Sequence, residues 1–331
     1  MMEFFINYGM FLAKLGTVAA MLLLLVGIVF VLYARVRGAA EEHLEVKHLN
    51  QRYEQMQLML NSAILPKKVF KKTIKEIKSR HKNEDKQEQE DNRRRLFVLD
   101  FDGDIRASDV SSLREEVTAL LMVARQEDEI MVKVESAGGT VHGYGLAASQ
   151  LRRIRDRGIR LTVAVDKVAA SGGYMMACVA DQIIAAPFAV IGSIGVLAQI
   201  PNFNRLLKKH NIDFEQVTAG QYKRTLTMFG ENTDADREKL KEELEETHAL
   251  FKSFVKENRE QVDIERIATG EHWYGKQALD LGLVDQLRTS DDYLCAADSD
   301  ANIYEVSYVR RKPFMERLIH PVMKMFGGSN L

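Results

Sequence analysis

The sequence predicts an α/β protein in which strand–helix units repeat over a parallel sheet, preceded by one transmembrane helix and a charged, partly helical linker. Three observations carry this reading. Leu15 to Ala34 is a 20-residue run without a charge. A polar stretch dense in Glu and Lys follows it as far as Arg95. Beyond Leu96, short apolar runs alternate with segments whose apolar residues recur at helical spacing, the pattern of a parallel sheet covered by helices.

Residues 1–14 form a short N-terminal segment and residues 15–34 the anchor, since 20 residues at 1.5 Å each match the hydrocarbon thickness of a bilayer. The run is apolar on every face, unlike a core helix, and no small-x-small cleavage site closes it, so the helix is expected to stay attached. Arg35 and Arg37 follow it, against Glu3 and Lys14 before it. That balance points to a cytoplasmic C-terminal body.

Residues 35–95 read as a charged juxtamembrane helix and linker. Leu58, Leu60, Ile64 and Leu65 allow a short helix, and lysines accumulate from Lys67 to Lys86. The run Lys82 to Asp91 has nothing to bury and reads as solvated. The lysines suit either a solvated face or contact with anionic lipid.

The ordered body is expected at 96–290, with 291–331 as a C-terminal extension. Strands are predicted at Leu96–Phe101, Ile130–Val134 and Leu161–Val165, with a further strand pattern around Phe214–Val217. Helices are predicted at Ser111–Ala124, at Gly145–Arg155, from Ser171 onward, at Asp234–Glu257 and at Gly275–Leu281, the last ended by Gly282. Ile183 to Pro201 is also nearly free of charge, but Pro187, Gly192, Ser193 and Gly195 interrupt it. It reads as two short buried strands, not a second span.

With 331 residues, 46% of them apolar, and a net charge of −1, the chain is globular over most of its length and has no global field for nucleic acid. Cys178 and Cys295 read as buried thiols. The histidines lack zinc-ligand spacing, and neither a metal nor a cofactor is implied.

Two Gly-rich turns bear the chemistry. Ala169-Ala170-Ser171-Gly172-Gly173 follows the Leu161–Val165 strand, and its serine suits either a helix N-cap or a nucleophile beside unpaired amides. Ser136-Ala137-Gly138-Gly139 follows the preceding strand and suits either a simple turn or a set of oxyanion donors. Both turns should open on one edge of the sheet. No histidine has a motif that pairs it with Ser171, which leaves a desolvated lysine as base. Lys223, in Gly220-Gln221-Tyr222-Lys223, is set apart from lysines in charged helices, although an exposed loop lysine is the ordinary reading of its spacing.

Taken in order, Ser-x-Gly-Gly at 136–139, Ala-Ser-Gly-Gly-Tyr at 170–174, Gly-Ser-Ile-Gly-Val at 192–196 and Gly-x-Tyr-Lys at 220–223 resemble the signal peptide peptidase A family of serine peptidases. Gly270-Glu271 and the run Gln277 to Asp285 resemble its C-terminal signature, and the long N-terminal segment is most similar to the SohB branch. The resemblance spans about residues 96–290. It implies a ClpP/crotonase-like fold and a Ser-Lys dyad, with Ser171 as nucleophile and Lys223 as general base. It further implies oxyanion donors at Gly172 and at Gly138 or Gly139, with Ser193 orienting the lysine amine. Ala137 stands where the family usually has Pro, which loosens the turn before Gly138.

The implied substrates are signal-peptide remnants or unfolded chains near the lipid bilayer of the cell inner membrane. A homo-oligomeric ring whose neighbours complete each site is also implied. An extracytoplasmic catalytic domain is usual in the family, against the charge balance around the span, so the side of the membrane stays open. A span at Ile183–Pro201 would put Ser171 and Lys223 on opposite sides, so a single pass is the consistent count. A catalytically silent scaffold and a crotonase-type acyl-CoA enzyme are the alternatives.

Overall fold

The structure, a computed structural model, describes residues 2–37, 42–87, 93–220 and 223–310. It divides into two units, one holding the N-terminal helix and the other spanning Leu44–Tyr308. The first unit is helix α1 (Met2–Arg37), within which Gly9–Val29 is long and apolar enough to cross a membrane and has none of its surface buried. It is the one such helix among the described residues.

The second unit runs β1 (His43–His48), α2 (Leu49–Ile64), α3 (Lys67–Gln87), β2 (Arg94–Gly103), α4 (Val110–Val123), β3 (Glu129–Ser136), α5 (Val141–Arg155) and β4 (Arg160–Val165). It continues with β5 (Val168–Ala170), α6 (Gly172–Ala177), β6 (Gln182–Ala185), β7 (Val190–Gly192), α7 (Asn204–Lys209) and α8 (Asp234–Asn258). The last elements are α9 (Ile264–Ile267), β8 (His272–Tyr274), α10 (Gly275–Asp280), β9 (Gln286–Leu287), α11 (Ser290–Ala297) and β10 (Ala301–Val309).

The sheet order is β1-β10-β2-β3-β4-β6-β9, and the pairs from β10 to β9 are parallel. A short ladder leaves this path where β5 pairs with β3 and β7, and β7 pairs antiparallel with β8. Alternation along the strands supplies two cores. Phe97, Leu99 and Phe101 of β2 join Ile130, Val132 and Val134 of β3 under α4, α5, α6 and α8. Leu96, Val98, Met131, Ala164 and Ile184 face the other way, against Leu49 of α2 and Leu294 of α11. Parallel strands, covering helices and an N-terminal apolar helix are the α/β architecture the sequence predicts.

The body is wider than 96–290 at both ends. β10 lies between β1 and β2, so residues beyond 291 and before 96 belong to one sheet. β1 escapes a sequence reading because it is an exposed edge strand carrying Glu45 and Lys47, with only Leu44 and Val46 to suggest a strand. α3 continues to Gln87, into the run read as solvated; residues 88–91 of that run lie outside the described residues. No strand forms at 214–217: Phe214 packs its ring 5.8 Å from that of Phe229, and Val217 is 96% exposed, so neither finds a sheet to join. Ile183–Pro201 does hold two short buried strands, β6 and β7. Cys178 is buried as expected, but Cys295 is exposed on α11.

Candidate active site

The short ladder brings the two Gly-rich turns together. Ser136 ends β3 and pairs with Ala169 of β5, so the chain leaving β3 and the chain leaving β5 emerge side by side. Ser171 follows β5 with φ 51° and ψ −116°, a conformation that costs an L-residue roughly 1–3 kcal/mol and persists only where its surroundings impose it. They do so here: the Ser171 amide donates to the Gly192 carbonyl at 2.7 Å, and the Ser171 carbonyl accepts from Met175 at 2.9 Å. The hydroxyl caps no helix amide. The N-cap reading of Ser171 is therefore not what this geometry uses.

The glycines are needed by close approach. A Cβ on Gly138, whose φ is +95°, would fall 2.7 Å from Ser171 Cβ and 2.9 Å from the Gly172 amide nitrogen. A Cβ on Gly172 would fall 2.3 Å from Cγ of Tyr144, and one on Gly139 would fall 2.1 Å from the Ile105 carbonyl oxygen. The turns can thus pack together only as Ser-x-Gly-Gly and Ser-Gly-Gly.

A buried hydroxyl pair fixes the first turn. Ser136 Oγ accepts from the Gly138 amide at 3.0 Å, lies 3.2 Å from the Gly103 carbonyl and contacts the Tyr144 hydroxyl. Tyr144 in turn donates to the Asp104 carbonyl at 2.8 Å. Burial raises the pKa of the Tyr144 phenol, which keeps it a donor. Gly138 spends its amide on Ser136, whereas the amides of Gly139 and Gly172 have no acceptor among the described residues. Neither Ser136 nor Tyr144 stood out as functional in sequence. Ser136 lay within a quoted motif, whereas nothing in the spacing of Tyr144 linked it to the turn.

Ser171, Gly172 and Gly139 line a groove of about 200 Å³ whose remaining walls are apolar apart from Thr247. Met175 of α6, Val196 and Val141 form one side. Leu250, Phe251 and Phe254 of α8 form the other, a wall the charged α8 sequence did not announce. Tyr174 is buried and ties α6 to the C-terminal segment by donating to the Leu283 carbonyl at 3.0 Å. Arg259, itself buried, closes that segment by pairing with Asp285 at the surface, Nη2 to Oδ1 at 2.7 Å.

The other two predicted residues lie apart from the groove lining. Ser193, at φ 51°, donates from Oγ to the Gly270 carbonyl at 3.4 Å. Lys223 is exposed, its amide donating to the Gly220 carbonyl at 3.2 Å, and its neighbours Gln221 and Tyr222 lie outside the described residues. The structure brings together Ser171, Gly172, Gly138 and Gly139. It does not bring Lys223 or Ser193 into the groove. No group of His, Cys, Asp and Glu able to hold a metal occurs among the described residues.

The fold and the groove define a class: an α/β protein with a serine and backbone amides without acceptors gathered at one edge of a parallel sheet. Residues 3–151 match the N-terminal model of peptidase family S49, and residues 153–304 match peptidase family S49 itself. The chain belongs to peptidase family S49 and is a serine protease, a hydrolase of peptide bonds. Its relatives include the "Probable protease SohB" of Haemophilus influenzae, 46% identical over 94% of this chain and 91% of that one. The protein of the same description from Buchnera aphidicola subsp. Acyrthosiphon pisum is 60% identical over 68% of this chain and 67% of its own. Among solved structures, the 1510-N membrane-bound stomatin-specific protease in complex with a substrate peptide is 13% identical, with a TM-score of 0.43, over 70% of this chain and 99% of that one.

Proposed function

We propose that the chain is a membrane-anchored serine endopeptidase working through a Ser-Lys dyad, Ser171 as nucleophile and Lys223 as general base. The observation that supports this best is the strained, uncapped Ser171 at the head of an apolar groove beside two amides without acceptors. In the proposed reaction Lys223 Nζ takes the proton of Ser171 Oγ as the oxygen attacks a peptide carbonyl. The amides of Gly172 and Gly139 hold the oxyanion, in place of Gly138, whose amide is already used. The lysine ammonium gives its proton to the departing amine, and water releases the acyl group.

A lysine serves as base only when desolvated, and Lys223 is exposed in the single chain. The cover is proposed to come from a neighbouring copy in a homo-oligomeric ring. Ser193 is retained as the hydroxyl that orients the amine. The groove suits apolar side chains, in keeping with signal-peptide remnants or unfolded segments near the bilayer. Helix α1 would be the single-pass anchor in the cell inner membrane.

The test is labelling by a fluorophosphonate together with peptide turnover, in the wild type and in Ser171→Ala. The variant should stay folded, lose the label and lose turnover. Unchanged turnover would sink the assignment, and absence of label in an active wild type would remove the serine ester.

A further inference from the structure

Helix α3 is built against its own stability. Its first turn holds Lys67 and Lys68 and no acid, although cations are disfavoured at the positive end of a helix. Lys67, Lys71 and Lys75 add like-charge neighbours at i,i+4 spacing, as do Lys68 and Lys72, which weakens a helix further. At about 100° per residue these five lysines fall within an arc of roughly 140°. Lys67, Lys68, Lys71 and Lys75 are exposed and make no ion pair among the described residues. Phe70, Ile74 and Ile77 occupy the adjoining arc and are half-buried. A first turn without an acid and four lysines without an ion pair among the described residues point to a partner that supplies negative charge.

The helix before it adds an apolar component. Met56, Met59, Leu60 and Ile64 of α2 recur at i, i+3, i+4 and i+8, so they form one stripe, and they are 53%, 74%, 61% and 73% exposed. Only Leu65 and Pro66 separate α2 from α3. A lysine face next to exposed Met, Leu and Ile is the composition of a helix lying in the headgroup region of an anionic bilayer. The same chain carries, a few dozen residues upstream, the apolar helix that can place such a surface within reach.

We propose that α2 and α3 form a second membrane attachment, with the α3 lysines on anionic lipid headgroups and the α2 stripe dipping into the interface. This rests on reading α1 as a membrane span. It would hold the peptidase body against the leaflet instead of leaving it on a free tether.

The test places the full chain in nanodiscs of phosphatidylcholine alone or of phosphatidylcholine mixed with phosphatidylglycerol, and reads amide hydrogen exchange across residues 49–77. At about 1 kcal/mol for each lysine near an anionic surface, exchange in α3 should slow about tenfold or more in the anionic discs. High salt, or Lys67→Gln, Lys68→Gln, Lys71→Gln and Lys75→Gln together, should abolish the difference. Equal exchange in both discs overturns the proposal. Protection that arises in lipid-free detergent and grows with protein concentration also overturns it, by assigning the stripe to a second copy. Failure of the chain to enter neutral discs refutes α1 as a span separately. The attachment is then read by floating the chain with vesicles of the two compositions, and equal recovery overturns it.

Discussion

Replacing Ser136 by Ala isolates what the buried hydroxyl pair does for the site. Ser136 is 2% exposed and does not line the groove, yet its Oγ is the acceptor for the Gly138 amide and the neighbour of the Tyr144 hydroxyl. The variant leaves the Gly138 N–H without an acceptor in a turn where a Cβ has no room, a loss worth about 1–3 kcal/mol of stability. The next amide in the turn is that of Gly139, one of the two proposed to hold the oxyanion. If the turn relaxes, that donor loses alignment, and removal of a single oxyanion donor costs about 10²–10³ in rate. Partial misalignment should therefore lower kcat by about 10–100-fold. KM should change little, since the walls formed by α8 and Met175 are untouched. Stopped assays with a fluorogenic apolar peptide would separate the two constants, and thermal unfolding would record the stability loss. Tyr144→Phe, which keeps the ring under Gly172, should show a smaller fall in the same constant. Wild-type kcat in Ser136→Ala, or a loss confined to KM, would refute this account of the turn.

Glu116 of α4 is 5% exposed, accepts from the Tyr308 amide at 2.7 Å, and is pushed up by burial to a pKa of about 7. The folded state thus holds a proton that the unfolded state releases at about 4.5, so stability falls as pH rises from there to about 7. The difference is about 3 kcal/mol, and urea unfolding at pH 5 and pH 8 should show Glu116→Gln losing most of that dependence. Leu250→Asp places a carboxylate on the apolar wall of the groove and should raise KM for apolar peptides about tenfold, while acylation by a small fluorophosphonate is little changed. Asp285→Ala leaves the buried Arg259 guanidinium without its carboxylate and should cost about 3 kcal/mol, read as a fall in the urea midpoint at constant slope.

Much of this architecture was legible because it is local. The apolar runs of β2, β3 and β4 and the helical spacing of α4 and α5 each specify an element without reference to distant residues. The Gly-rich turns were legible for the same reason. β1 was not, because its partner β10 lies more than 250 residues away and its own residues are charged and exposed. Phe214 and Val217 misled in the opposite sense, offering strand-like residues where no strand edge is available. At the site, sequence pointed to Ser171 and the glycines but not to the difference between Gly138, whose amide is bonded, and Gly139, whose amide has no acceptor among the described residues. That difference depends on where one serine hydroxyl points.

The position of β10 also sets when this protein can become itself. As the chain emerges, β2 to β4 can pair with one another early, but the other edge of β2 stays open until residues 301–305 arrive to cover it. β1 must wait even longer in sequence terms, since its place in the sheet exists only once β10 has been laid down. Pairings this distant are slow to close and leave a sticky edge exposed meanwhile. A ribosome stalling before β10 would leave an unfinished sheet on display, a ready target for chaperones or for proteolysis.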